Sequence, residues 1–173
     1  MKKNERAQAR SRPPLRAPKR KGEWAEVMFI AKAMELGLTV CRPYGDSDPF
    51  DFLVSVGGPG AVRIQVKSAW SRRSRSYKFG AGRCSRPYRK NEVDFVVVFV
   101  VPEDVWYVIP RQELGNRSVA TISPHVAHSR ARLEKYREAW RLLRLVEHKE
   151  NESGPDLLPL PALLDLCDLR PSF

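Results

Sequence analysis

Seven consecutive apolar residues, Phe95 to Val101, constrain this chain more than any other stretch of it. The run is rich in valine and phenylalanine and lies between Asp94 and Pro102. It falls far short of the roughly 20 residues that cross a bilayer, so it reads as a buried strand and demands a sheet around it. The neighbouring sequence supplies one. Val62–Lys67 alternates, with Val62, Ile64 and Val66 facing one way and Arg63, Gln65 and Lys67 the other. Phe50–Val56 offers Phe52, Val54 and Val56 as its apolar face, opposite Asp51, Leu53 and Ser55. Gly57-Gly58-Pro59-Gly60 between the two is a hairpin signal. Matching the apolar faces pairs Val56 with Val62, Val54 with Ile64 and Phe52 with Val66. Asp51 is then expected opposite Lys67, with Gln65 one pair away.

The remaining elements follow from helical spacing and turn chemistry. Gly22–Leu36 reads as a helix closed by Gly37, Leu38–Arg42 as a short strand and Pro43–Pro49 as a polar loop. In that loop Asp46 and Asp48 read as turn residues, with support of a neighbouring metal site as the lesser alternative. Val105–Ile109 and Val119–Ile122 are further strands. Ser129 is expected to cap a long helix reaching about Val146, with Leu133, Tyr136, Trp140 and Leu143 on its core face. This order of elements describes an α/β chain with a mixed sheet flanked by helices. At 173 residues it holds one domain with tails: a basic disordered arm over 1–21, a folded domain over 22–147 and a Pro/Leu-rich tail over 148–173. Three dispersed cysteines without a CxxC pair fit a reducing cytoplasm, and the basic, proline-broken first residues carry no secretory signal.

Charge is concentrated rather than spread. Residues 1–21 hold nine Lys or Arg against Glu5 alone, and residues 68–90 hold eight with no acid. The rest of the chain is slightly acidic, with 14 basic and 19 acidic residues. Such a distribution points to a polyanionic partner. The second segment threads Trp70, Tyr77, Phe79 and Tyr88 among its arginines, a composition suited to phosphate contact with base stacking. Tyr77 and Phe79, two apart, are also placed to face the core from one strand. Arg72, Arg73, Arg75, Tyr77, Lys78, Arg83, Arg86, Arg89 and Lys90 are therefore the candidate nucleic-acid contacts.

One acid is out of place. Glu26 shares the apolar stripe of its helix with Ile30, Ala33 and Met34, where a carboxylate is costly unless a cation meets it. Glu23 points the same way, but the helix N-terminus tolerates it. With Lys21-Gly22 and Glu26 on the helix, Asp51 at a strand start, and Gln65-Val66-Lys67 in the next strand, the chain resembles the PD-(D/E)XK nuclease superfamily. It is most similar to the intron-type homing endonuclease and Holliday-junction-resolvase-like branch. The resemblance implies a restriction-endonuclease-like αβββαβ core and a Mg²⁺- or Mn²⁺-dependent endodeoxyribonuclease. It implies that Asp51, Gln65, the carbonyl of Val66 and Glu26 hold the metal, and that Lys67 is the catalytic lysine. Gln65 stands where the superfamily usually has an acid; its amide oxygen still ligates a hard cation, with less charge.

The implied partner is DNA and not a membrane, with a homodimer as the form that cuts both strands. The alternative is a noncatalytic DNA-binding module that keeps the nuclease fold. An RNA-binding scaffold rests on charge alone.

Overall fold

The computed structural model describes residues 17–45, 47–55, 60–126 and 131–144. The first helix, α1 (Pro18–Glu35), starts one turn before the expected Gly22. Pro18 opens the helix rather than preventing it, because a first-turn proline gives up an N–H that no helix carbonyl needs. Residues 18–21 of the expected disordered arm are thus helical, while residues 1–16 lie outside the described residues. At the other end Gly37 adopts φ 73°, which a side chain would resist. Its N–H reaches the Met34 carbonyl at 2.9 Å, and the Leu38 N–H reaches Ala33 at 2.9 Å. These two bonds close the helix as the Gly37 signal implies.

Five strands form the main sheet in the order β1 (Thr39–Cys41), β2 (Phe52–Ser55), β3 (Val62–Ala69), β8 (Phe95–Val100) and β9 (Val105–Pro110). Strands β3 and β8 run parallel, and the other neighbours are antiparallel. The β2–β3 register differs from the expected one by two residues: Phe52 pairs with Ile64 and Val54 with Val62. A two-residue shift preserves which face each side chain occupies, so the alternation predicts the faces but leaves this slip open.

Between β3 and β8 the chain makes its crossover without a helix. The basic connector instead folds as β4 (Arg72–Arg73), β5 (Ser76–Gly80), β6 (Gly82–Arg83) and β7 (Arg86–Pro87). Strand β5 is flanked by β4 and by β10 (Val119–Ile122), which follows the short helix α2 (Arg111–Leu114). Gly82 faces Pro87 in the β6–β7 pair, where an added Cβ would lie 1.9 Å from the Arg86 carbonyl oxygen. Only glycine fits there.

The sheet separates two apolar layers. On one side Ala25, Phe29 and Ala33 of α1 pack against Phe52, Ile64, Phe99 and Trp106. A continuous aromatic column runs through this layer, from Trp70 to Trp24, Phe99, Trp106 and Trp140. Tyr77, Phe79 and Tyr88 of the connector cover the other side, with Val96, Val98 and Tyr107 beneath them. Among the described residues no helix is long and apolar enough to cross a membrane.

Among the described residues 131–144 the expected long C-terminal helix is absent. Residues 134–136 form one 3₁₀ turn, and only α3 (Arg141–Arg144) is helical, while Ser129 lies outside the described residues. The open edge of β9 accounts for the difference. Arg137 bridges Tyr107, the Glu138 N–H donates to the Trp106 carbonyl at 2.8 Å, and the Glu138 carboxylate accepts the Trp106 N–H at 2.7 Å. An unpaired strand edge offers bonds that a continuous helix would leave unmade. Leu133, Tyr136, Trp140 and Leu143 are nevertheless all buried.

Candidate active site

Strand pairing ends where the site begins. Beyond Asp51 the chain turns away from β3, and the Val66 N–H, which would otherwise seek a strand partner, donates to Asp51 Oδ2 at 2.7 Å. The Gln65 amide also donates to this oxygen and lies 3.5 Å from the Val66 carbonyl. Asp51 is therefore fixed by two donors from the strand beside it. The opening left by the departing strand is a cleft of about 390 Å³ whose lining includes Glu26, Asp51, Gln65 and Lys67. The two-residue register difference places Asp51 beside Gln65 rather than opposite Lys67, yet all four side chains share this hollow.

Glu26 enters from α1. Of the two helix acids it is the one in the cleft, whereas Glu23 is exposed and pairs with Lys19 at 4.0 Å. Asp48, expected as a turn residue, also lines the cleft, and Asp46 lies outside the described residues.

Burial dominates the electrostatics. It raises the Asp51 carboxyl above its ordinary value, against the Val66 N–H, the Lys67 ammonium and the Gln65 amide, which all favour the charged form. Burial also raises Glu26, with the Asp51 charge adding to the rise and Arg42 opposing it. For Lys67 burial lowers the value, while Asp51 and Glu26 restrain the fall. Two enclosed carboxylates, with the Asp51 charge disfavouring that of Glu26, beside an enclosed ammonium, form a site that an added cation would relieve.

The groups that could hold a metal here offer oxygen: two carboxylates and the Gln65 amide in the cleft, beside the Val66 carbonyl that this amide approaches. That chemistry fits Mg²⁺ or Mn²⁺ rather than a thiolate- or imidazole-seeking metal. Among the described residues no three His, Cys, Asp or Glu side chains gather around one point.

The basic segment divides into free and engaged side chains. Arg72, Arg73, Arg75, Lys78, Arg89 and Lys90 are exposed on the connector, and Arg83 lines the cleft. Arg86 is held by Glu92 in a two-pronged ion pair. Tyr77 corrects an expectation: its ring is 2% exposed and its hydroxyl donates to Glu103 at 2.8 Å, so it cannot stack on a base. Burial and Glu103 push its phenol up to about 12. Tyr88, also buried, reaches the cleft wall.

Sequence reasoning missed Arg42. It follows β1 directly, lines the cleft and holds Glu26 Oε2 at 3.2 Å. The pairing arises from the packing of α1 on β1, which no local pattern around Arg42 announces.

Three comparisons with known proteins bear on this arrangement. Residues 16–143 match the sequence model of a family described as PD-(D/E)XK endonuclease. No curated protein matches the chain. Among solved structures, that of a bacterial homing endonuclease, I-Ssp6803I, is similar with a TM-score of 0.69 and 29% sequence identity. The match covers 80% of this chain and 99% of that one.

Proposed function

We propose a function from one premise: the chain belongs to the PD-(D/E)XK endonuclease family, nucleases with a restriction-endonuclease-like α/β fold. The reading is a divalent-metal-dependent DNA endonuclease that hydrolyses phosphodiester bonds, of homing or junction-resolving type. One observation carries it: Glu26, Asp51, Gln65 and Lys67 line a single cleft although they come from a helix, a strand entry and a neighbouring strand.

Asp51 and Glu26 would hold Mg²⁺ or Mn²⁺, with the Gln65 amide oxygen and the Val66 carbonyl completing the protein donors. When bound, such an ion neutralises phosphoryl oxygens and acidifies a water molecule. The chain's own residues do the rest. The Val66 N–H and the Gln65 amide orient the Asp51 carboxylate. Lys67 offers an ammonium in a partly dry pocket, where it stabilises negative charge growing on the phosphoryl group or positions the attacking water. The exposed arginines of β4 and the β4–β5 turn, with Lys78, Arg89 and Lys90, would take phosphates on either side of the scissile bond. Residues 1–16, outside the described residues, carry six further Lys or Arg. One cleft per chain cuts one strand at a time, so a double-strand break asks for two copies.

The noncatalytic alternative draws support from Gln65, whose amide donates to Asp51 instead of adding a third carboxylate. Incubating plasmid and branched DNA with Mg²⁺ or Mn²⁺ separates the readings. The enzyme is expected to cut, and Asp51→Ala and Lys67→Ala to bind DNA without cutting. DNA binding by the unsubstituted chain with no cleavage in either metal would leave the module.

A further inference from the structure

Arg42 has no task in the reading above, yet it holds an oxygen of Glu26, an acid which that reading gives to the metal. Its Nη2 lies 3.2 Å from Glu26 Oε2. The pair is lopsided: the Glu26 side chain is 19% exposed, while that of Arg42 is 63% exposed. The acid is enclosed in the wall, and the guanidinium stands at the mouth. Charge counting sharpens the point. Glu26, Asp51 and Asp48 line the cleft together with Arg42, Lys67 and Arg83, so its formal charge is zero. A neutral cleft with one carboxylate capped attracts a dication less than its enclosed acids alone would. A DNA backbone supplies the missing negative charge, and it arrives where Arg42 already projects. Guanidinium groups match phosphate and carboxylate oxygens alike through paired N–H donors, so a guanidinium standing at the mouth can trade one for the other.

We propose that Arg42 switches partners: it caps Glu26 in the free protein and passes to a backbone phosphate when DNA binds, releasing Glu26 to the divalent ion. This rests on the nuclease reading of the cleft and deepens it, because metal loading becomes conditional on substrate. Arg42 is then a positioning residue for Glu26 in the free protein and a phosphate contact in the complex. Linkage makes the effect reciprocal, so the metal must strengthen DNA binding by the same factor through which DNA strengthens metal binding.

The test is calorimetric titration of Mn²⁺ into the full chain, with and without a duplex carrying cleavage-resistant phosphorothioate linkages. Removing the cap in Arg42→Ala is expected to tighten Mn²⁺ binding in the absence of DNA by about two- to fivefold, the range for a largely exposed ion pair. DNA is expected to tighten Mn²⁺ binding to the unsubstituted chain, and to do so less in Arg42→Ala by a similar factor. Arg42→Lys, which keeps a cation at the mouth, should lie between the two. Structural damage would weaken metal binding, so a gain is not explained by it; if Arg42→Ala does not fold, Arg42→Gln is held to the same criterion. Mn²⁺ binding that is unchanged or weaker without DNA overturns the switch. Should the unsubstituted chain still take up Mn²⁺ and cut DNA, only the role of Arg42 falls. No Mn²⁺ uptake by any variant, with or without duplex, removes the switch and the metal-dependent nuclease together.

Discussion

Strands β3 and β8 lie side by side and parallel, joined over Ile64–Ala69 and Phe95–Val100, yet they do different work. All six side chains of β8 are buried. Strand β3 buries Val62, Ile64, Val66 and Ala69 but leaves Arg63, Gln65 and Lys67 partly open. The difference is one of neighbours. β8 has a strand on each side and an apolar layer on each face, so hydrocarbon is what it can hold. β3 loses β2 at Asp51, and Gln65 and Lys67 are half-solvated along that gap, while Arg63, still opposite Leu53, is held by Asp94. In this molecule the candidate site lies where strand pairing stops, and the continuous core lies where it goes on.

A polar residue in β8 should break the comparison most severely. Val97→Asp buries a carboxylate among Phe29, Phe52 and Trp106 without a partner, and is expected to cost at least about 4 kcal/mol. Circular dichroism should show little folded protein; a normal melting curve would mean that β8 is not the central support. Lys67→Met in β3 should do the reverse. Cutting is expected to fall by about 10²- to 10³-fold, while the melting temperature holds or rises, because burial already works against the ammonium. A melt lowered as far as that of a β8 variant would erase the distinction.

A subtler contrast concerns pH. The folded Asp51 carboxyl is raised above 3.8, so the native state keeps this proton to higher pH than the unfolded chain. Its contribution to stability is complete below that ordinary value and drains away as pH climbs through the raised one. Asp51→Asn should therefore match the parent in acid and become the more stable of the two toward neutrality, in metal-free denaturant titrations. A constant gap across pH would show that burial does not strain this carboxylate. The smallest effect is expected outside the sheet. Arg73→Ala should lower the salt dependence of DNA binding by about one phosphate contact, with unchanged stability; an unaltered slope would remove the β4–β5 hairpin from the interface.

The parts of this design that are periodic were legible in the sequence. Phe95–Val101 announced β8, the alternation of Val62–Lys67 announced which β3 side chains leave the core, and Glu26 stood out as an acid among apolar helix residues, although the buried stripe is Ala25, Phe29 and Ala33 and Met34 is exposed. What stayed hidden was set by tertiary partners. Alternation has a period of two, so it could not separate Phe52 opposite Val66 from Phe52 opposite Ile64. Leu133, Tyr136, Trp140 and Leu143 carry helical spacing, but Glu138 takes φ 47° and bonds the edge of β9 on both sides of its Cα. Pro18 could equally stop or start a helix, and only a following turn free of tertiary conflict decides between them. The Arg42–Glu26 pair depends on two elements meeting, which neither one encodes by itself.

The aromatic column has an optical consequence. The chain's four tryptophans all belong to it, with ring centroids 5.4 Å apart for Trp24–Trp70, 5.6 Å for Trp24–Phe99, 4.2 Å for Phe99–Trp106 and 5.6 Å for Trp106–Trp140. At such separations, light absorbed by one indole is shared with the others before it is emitted. The fluorophores therefore report collectively, and since Lys21 lies over Trp70 at one end, an event at that end would alter the glow of the whole array.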